Sequence, residues 1–229
     1  MTSIIMITVF ATLLSLFQGK DPYEKARHEM VASQIAARGI TDAATLSAMR
    51  RVPRHLFVPP QVAGNAYDDY PLPIGYNQTI SQPFIVAWMT ELARPGKHKK
   101  ALEIGTGSGY QAAILAETVE TVYTIEIVPQ LARSSALLLK KLGYTNIVAR
   151  EGDGYLGWAE HAPFDIIIVT AACDHVPQPL IDQLADNGRL IMPLGEPGAV
   201  QELILITRKK GKTVQQTISA VRFVPLIRK

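Results

Sequence analysis

Apolar positions set two rhythms along this chain. Before residue 100, helical stripes alternate with proline breaks. After it, short apolar runs alternate with amphipathic stretches. Asp21-Pro22-Tyr23-Glu24 reads as a helix start, with Asp21 as N-cap, Pro22 in the first turn and Glu24 completing a capping-box pattern. The expected helix carries Ala26, Met30, Ile35 and Ala36 and stops at Gly39. A second helix is expected from Thr41 or Asp42 to Arg51, with Leu46 and Met49 inward, and the run Val52–Pro60 breaks it. Ala66–Pro83 is polar, aromatic and punctuated by prolines, so it reads as a long ordered loop of the kind that carries function. Phe84–Leu92 reads as a helix leading to Pro95-Gly96.

From Lys100 the pattern predicts strands at 101–104, 121–127, 146–150, 164–170 and 188–193, with helices at 110–117, 130–142 and 179–185 between them. Phe164–Thr170 is almost continuously apolar, as expected when both faces of a sheet are covered. Gln201–Arg208 and a last strand near Ala220–Val224 read as a closing hairpin around Lys210-Gly211-Lys212. The expected fold is α/β: a doubly wound, mostly parallel, Rossmann-like sheet with an antiparallel edge and an N-terminal helical extension. Residues 1–19 form an apolar extension. Residues 20–229 form one domain, with a helical and loop part at 20–99 and a sheet at 100–229.

Ile4–Phe17 is apolar and uncharged but shorter than the roughly 20 residues of a membrane span. It has the length of a signal-peptide core, yet no Lys or Arg precedes it and no small-x-small cleavage pattern precedes Gly19-Lys20. Export signal, interfacial anchor and packed or trailing extension all stay open. The net charge of +3 and the lack of a basic tract interleaved with aromatics speak against a nucleic-acid partner. The single cysteine, Cys173, cannot form an internal disulfide, and no Cys/His cluster stands at zinc spacing, so no metal is expected. His28, His55, His98, His161 and His175 are scattered and read as surface or capping residues.

The chemistry concentrates at Ala101-Leu102-Glu103-Ile104-Gly105-Thr106-Gly107-Ser108-Gly109-Tyr110, a strand, a glycine turn and a helix start. Alternate glycines let backbone come close to a ligand. The spacing departs from the dinucleotide fingerprint, and the Lys-Ser/Thr of a phosphate-binding P-loop is missing. Glu126 lies 21 residues past Gly105 at the end of the next strand, where an acid accepts from both ribose hydroxyls. Glu103 reads as an acid for a cationic or amino group, or else as a backbone cap. Asp153, at the tip of the third strand and followed by Gly154, reads as an acceptor for an exocyclic amine such as adenine's. Three acids thus end three successive strands. An adenosine with a positive charge and no phosphates is S-adenosyl-L-methionine.

Leu-Glu-Ile-Gly-Thr-Gly-Ser-Gly, Tyr-Thr-Ile-Glu and Gly-Asp-Gly resemble the class I methyltransferases over roughly residues 100–193. The stretch Pro73–Pro83 (Pro-Ile-Gly-Tyr-Asn-Gln-Thr-Ile-Ser-Gln-Pro) resembles the signature loop of the protein-L-isoaspartate O-methyltransferase family. Arg54-His55-x-Phe57-Val58-Pro59, Ala66-Tyr67-x-Asp69, Phe164-Asp165 through Ala171-Ala172, and Arg222-Phe223-Val224-Pro225-Leu226 resemble it in the same order. Asn77 stands where that family usually has glycine, and Cys173-Asp174-His175 is a less usual sequence there.

The resemblance implies a protein-repair enzyme that methylates the free α-carboxyl of L-isoaspartyl residues in damaged proteins and peptides, giving an ester that re-closes to succinimide. It implies Ser81 as the catalytic residue, a substrate site at Gln78, Thr79, Ile80, Ser81 and Val224, and a cofactor site at Glu103, Gly105, Thr106, Gly107, Gly109, Glu126, Asp153 and Gly154. The expected partners are isoaspartyl proteins, with no nucleic acid and no firm membrane partner. A cytoplasmic monomer is expected, with export or membrane association through residues 4–17 as the alternative.

Overall fold

The computed structural model describes residues 21–196 and 198–228; the apolar run at 4–17 lies outside the described residues. Strands β1 (Leu72–Gly75) and β2 (Gln78–Ile80) form a small antiparallel hairpin. The main sheet holds β3 (Lys100–Ile104), β4 (Thr121–Glu126), β5 (Ile147–Glu151), β6 (Phe164–Val169), β7 (Leu184–Leu194), β8 (Gln201–Lys209) and β9 (Lys212–Val221). Its order is β5-β4-β3-β6-β7-β8-β9, parallel through β7 and antiparallel from β7 to β9. The helices are α1 (Glu24–Glu29), α2 (Ala43–Arg51), α3 (Pro83–Leu92), α4 (Tyr110–Ala116), α5 (Pro129–Lys141) and α6 (Gln178–Asp182).

The core lies on both sides of the sheet. On β3, Ala101 packs into one apolar cluster and Leu102 and Ile104 into the other. On β6, Ile166 and Ile168 face the first cluster, and Phe164, Ile167 and Val169 the second. Phe164 and Ile167 share a side although an odd number of positions separates them. The β6–β7 register shifts between Phe164 and Ile166, and a bulge of that kind resets the alternation. Helix α4 is buried along its whole length, so the backbone beginning at Gly109 is held firmly by packing. The strand order reverses beside β3, and open α/β sheets bind ligands at the carboxyl ends of strands at such a point.

Several expectations change. The first helix starts at Glu24, and Asp21 accepts from the N–H of Tyr23 while pairing with Arg27, so the expected capping box is not formed. The path to Gly39 then runs through a π-helical turn (Met30–Ile35) and a 3-10 turn (Ala36–Arg38). The buried stripe runs through Arg27, Met30, Val31 and Ile35 at helical spacing, and Ala26 is exposed. Gly39 does end the segment in the left-handed region (φ +96), and Asp42 caps α2 by accepting from the N–H of Thr45 at 2.7 Å.

The stretch 66–83 is no plain loop. Tyr76 and Asn77, with φ of 54° and 57°, turn β1 back into β2. Asparagine tolerates this region, so Asn77 keeps the path that a glycine would take. Helix α6 ends earlier than expected and β7 begins earlier, at Leu184. The last strand is longer and ends at Val221. Residues after it instead lie beside Ala172, whose N–H reaches the Val224 carbonyl at 2.8 Å and whose carbonyl accepts from Leu226 at 2.7 Å. This carries the tail over the carboxyl end of the sheet.

Candidate active site

The glycine turn between β3 and α4 is built on positive φ at Gly105 (+92), Gly107 (+52) and Gly109 (+89). A Cβ at Gly105 would stand 2.4 Å from the Thr170 Oγ1, so no side chain fits there without displacing Thr170. That hydroxyl lies 2.6 Å from the Gly105 carbonyl and locks the turn to the end of β6. The N–H groups of Gly105 and Thr106 both donate to the Ile125 carbonyl, at 2.8 and 3.3 Å. The turn is thus fastened to both neighbours of β3.

The acids of β3 and β4 belong to the same network. Glu126 accepts from the Gly107 N–H through Oε2 (2.7 Å) and from the Val128 N–H through Oε1 (2.9 Å). Glu103 is fully buried; its Oε2 accepts from the Thr124 hydroxyl, which lies 2.6 Å from that of Thr106. Its Oε1 makes no hydrogen bond among the described residues, with the Ala112 N–H the backbone donor that favours its charged form. Burial, reinforced by the nearby Glu126, raises the Glu103 carboxyl from 4.5 to about 8, although the Thr124 bond works against the rise.

These groups face a cleft of about 740 Å³ at the carboxyl ends of β3, β4 and β6. Gly105, Thr106, Gly107, Glu103, Glu126 and Gly154 are in its wall, and among the described residues no Lys or Arg is. Two acids without a cation suit a positively charged ligand and would repel phosphates. The unpartnered, buried Glu103 Oε1 asks for a donor, and a turn without Cβ atoms admits a flat nucleoside. The residues present therefore fit S-adenosyl-L-methionine.

The hairpin β1–β2 brings Gln78, Thr79, Ile80 and Ser81 to the opposite wall. The hydroxyl of Ser81 makes no hydrogen bond within the described protein, and it caps no helix. The N-cap of α3 is Gln82, which offers no side-chain bond. A second groove of about 1000 Å³ adjoins the first, lined by Pro71, Gln82, Ile85 and the tail from Ala220 to Val224. Thr79, Ser81, Thr170 and Val224 belong to both walls. Two ligands seated side by side would meet at these four residues.

Not every expected residue arrives. Asp153 is outside the cleft wall. Its Oδ1 accepts from the Tyr155 N–H at 3.0 Å, and its Oδ2 lies 3.6 Å from Arg228 Nε. Gly154 does line the cleft, where a Cβ would stand 2.2 Å from the Ile104 Cγ2. Gly109 supports α4 against Leu139 and is not itself in the wall. Thr170 was not singled out in the sequence; its signal was a polar residue closing an otherwise apolar strand. Cys173, Asp174 and His175 bring donor atoms within 4.8 Å of one another without any zinc-like spacing. Their donors already have partners: Cys173 Sγ is 2.9 Å from the Tyr155 hydroxyl, and Asp174 pairs with His175 at 2.6 Å.

Residues 25–229 match the family model described as protein-L-isoaspartate(D-aspartate) O-methyltransferase. The chain is 57% identical over 199 residues to a protein-L-isoaspartate O-methyltransferase of Gloeobacter violaceus, covering 87% of this chain and 97% of that one. It is 52% identical over 226 residues to one of Opitutus terrae, covering 97% of each. Among solved structures, a protein-L-isoaspartate O-methyltransferase superposes with a TM-score of 0.78 at 27% identity, over 86% of this chain and 65% of that one. A Plasmodium falciparum structure of that description, in complex with S-adenosyl-L-homocysteine, superposes with a TM-score of 0.74 at 26% identity, over 88% and 98%. A glycine turn flanked by acids, a serine loop facing it and matches of this extent lead to one conclusion: the chain belongs to the protein-L-isoaspartate(D-aspartate) O-methyltransferase family.

Proposed function

We propose that Ser81 receives the isoaspartyl carboxylate at the junction of the two pockets, and that the Gly105–Gly109 turn with Glu103 and Glu126 holds the methyl donor. The enzyme is an S-adenosyl-L-methionine-dependent methyltransferase. It esterifies the free α-carboxyl of L-isoaspartyl residues in damaged proteins, and the ester re-closes to succinimide. When bound, S-adenosyl-L-methionine supplies an electrophilic methyl group on a sulfonium. The residues of the chain bind, align and exclude water.

No general base is required. A carboxyl group with a pKa near 4 is already ionised at neutral pH, so alignment is the main task. The Ser81 hydroxyl donates to one carboxylate oxygen and leaves the other free to attack. Thr79, Ile80 and Gln78 shape the approach, and the Val224 main chain borders the peptide on its far side. Glu126 accepts from the ribose hydroxyls, and the free oxygen of Glu103 accepts from the amino group of the cofactor. Asp153, pinned by Arg228, contributes to the adenine end through Gly154 and the cap it maintains there.

The observation that carries this reading is the Ser81 hydroxyl, unpartnered in the wall common to both pockets. The test is transfer of labelled methyl to paired peptides that differ only in an isoaspartyl or an aspartyl linkage. Base-labile ester on the isoaspartyl peptide alone is expected; equal labelling of the two, or labelling of neither, rejects the reading. We also place the enzyme in the cytoplasm as a monomer without a nucleic-acid partner. The net charge of +3, with no basic tract interleaved with aromatics, supports the last of these. Light scattering on the purified full chain checks the oligomeric state.

A further inference from the structure

Behind the substrate loop stands a side chain that the reaction as described does not use. Arg54 has no exposed surface, although it is the largest of the fully buried side chains. Its Nε donates to the Ala66 carbonyl and its Nη2 to the Ser81 carbonyl, each at 2.8 Å, and its Nη1 has no partner. The guanidinium also lies 4.9 Å from the centre of the Tyr110 ring, which lines the cofactor cleft. Among the described residues no acid reaches ion-pairing distance of it; the nearby Asp69, whose charge acts on Arg54 from further away, accepts from Arg38 through Oδ2 at 2.7 Å, and its buried Oδ1 has no hydrogen-bond partner among the described residues.

A buried cation with no carboxylate in direct contact is expensive, and a fold that only needed to fill this space would do better with an apolar side chain. Burial lowers Arg54 from 12.5 to about 10, which still leaves it charged at neutral pH. One peptide unit separates this charge from the hydroxyl that meets the incoming carboxylate. We propose that Arg54 is a positioning residue for Ser81. Its fork fixes the backbone that aims the hydroxyl, and its charge provides the counter-field for the isoaspartyl carboxylate.

The two parts of the role are separable. The fork matters to alignment and so to kcat. The charge matters to the affinity for an anion and so to the peptide KM. A unit charge roughly 8 Å from the carboxylate, at an effective dielectric of about 20 to 40, changes its affinity by roughly six- to thirty-fold. Lysine keeps the charge but cannot hold two carbonyls in a fixed geometry. Methionine loses both.

This inference rests on the assignment of Ser81 and the isoaspartyl substrate made above, and the experiment keeps the two apart. The full-length wild type, Arg54→Lys, Arg54→Met, Ser81→Ala and the Ser81→Ala/Arg54→Lys double variant are compared for peptide KM, kcat, S-adenosylhomocysteine affinity and thermal unfolding. Arg54→Lys is expected to lower kcat about tenfold with the peptide KM within twofold of wild type. Arg54→Met should raise KM at least fivefold as well. Affinity for S-adenosylhomocysteine should stay within threefold in both. In the Ser81→Ala background, Arg54→Lys should cost little more, because the hydroxyl it aims is gone. Additive losses in the double variant, an unchanged KM in Arg54→Met, or failure of both single variants to fold and bind S-adenosylhomocysteine would make Arg54 a structural residue and overturn the inference. A wild type that does not methylate the isoaspartyl peptide would overturn the assignment of function instead.

Discussion

Replacing Glu103 with glutamine separates what the site costs the fold from what it gives the reaction. Glu103 is fully buried with one oxygen unpartnered among the described residues, and burial pushes its carboxyl up from 4.5 to about 8. Below the lower value the carboxyl is protonated in both states and exerts no pH effect. Between the two, the unfolded chain releases a proton that the folded chain retains, so stability falls as pH rises. The slope is about 1.4 kcal/mol per pH unit, and the full loss approaches about 5 kcal/mol above the upper value. Between about pH 6 and about pH 8 this group alone should remove about 2 kcal/mol. Glu103→Gln keeps the shape and an oxygen for the Thr124 hydroxyl, and it cannot ionise. Urea unfolding of the ligand-free protein across this range should show the variant gaining on the wild type as pH rises. Parallel curves would refute the reasoning. Cofactor binding should move the other way. At neutral pH the wild type should release close to one proton, about 0.9, when the cofactor's amino group meets Glu103. Calorimetry in buffers of different ionisation enthalpy reads that proton, and Glu103→Gln should bind more weakly and release none.

Glu126→Ala deprives the Gly107 and Val128 N–H groups of their acceptor as well as the ribose, so S-adenosylhomocysteine affinity should fall about fifty-fold, or about 2 kcal/mol, by calorimetry; unchanged affinity contradicts the ribose role. Ser81→Ala should lower kcat at least about tenfold with cofactor affinity unchanged, since one donor aimed at the reacting group is commonly worth that much or more. Parallel loss of both would reduce Ser81 to a structural residue. Gly105→Ala places a Cβ 2.4 Å from the Thr170 hydroxyl at a left-handed φ and should destabilise the protein by at least about 2 kcal/mol in urea. The loss should shrink in a Thr170→Ala background, and an equal loss there would show that the contact is not its cause.

The glycine turn and the strands around it were legible because their signals are local. A turn that needs positive φ must be glycine, so Gly105, Gly107 and Gly109 declare themselves. The acids at 103 and 126 stand out because each lies at the carboxyl end of a mostly buried strand. The same logic located Asp153. Its spacing put it at the tip of the third strand, which is correct. What the spacing does not contain is Arg228, 75 residues away, whose guanidinium stands 3.6 Å from one carboxylate oxygen while the Tyr155 N–H donates to the other. A residue's place in a strand is written nearby in sequence; its partner is written wherever the tail happens to return.

The catalytic half depends on returns of that kind. Ser81 gains its meaning from Thr170, at the end of β6, and from Val224, which reaches it because the chain after β9 pairs with Ala172 and does not extend the sheet. The expected strand at 220–224 and the observed tail have the same apolar alternation, so periodicity alone cannot choose between them. Arg54 shows the limit from the other side. Beside His55 and before an aromatic it looks like an exposed charge in a helix break, and only the fold reveals that it is sealed under the Ser81 carbonyl. A charge kept where an apolar side chain would pack at lower cost points to selection on something other than stability. Here the anion that would neutralise it is the substrate's.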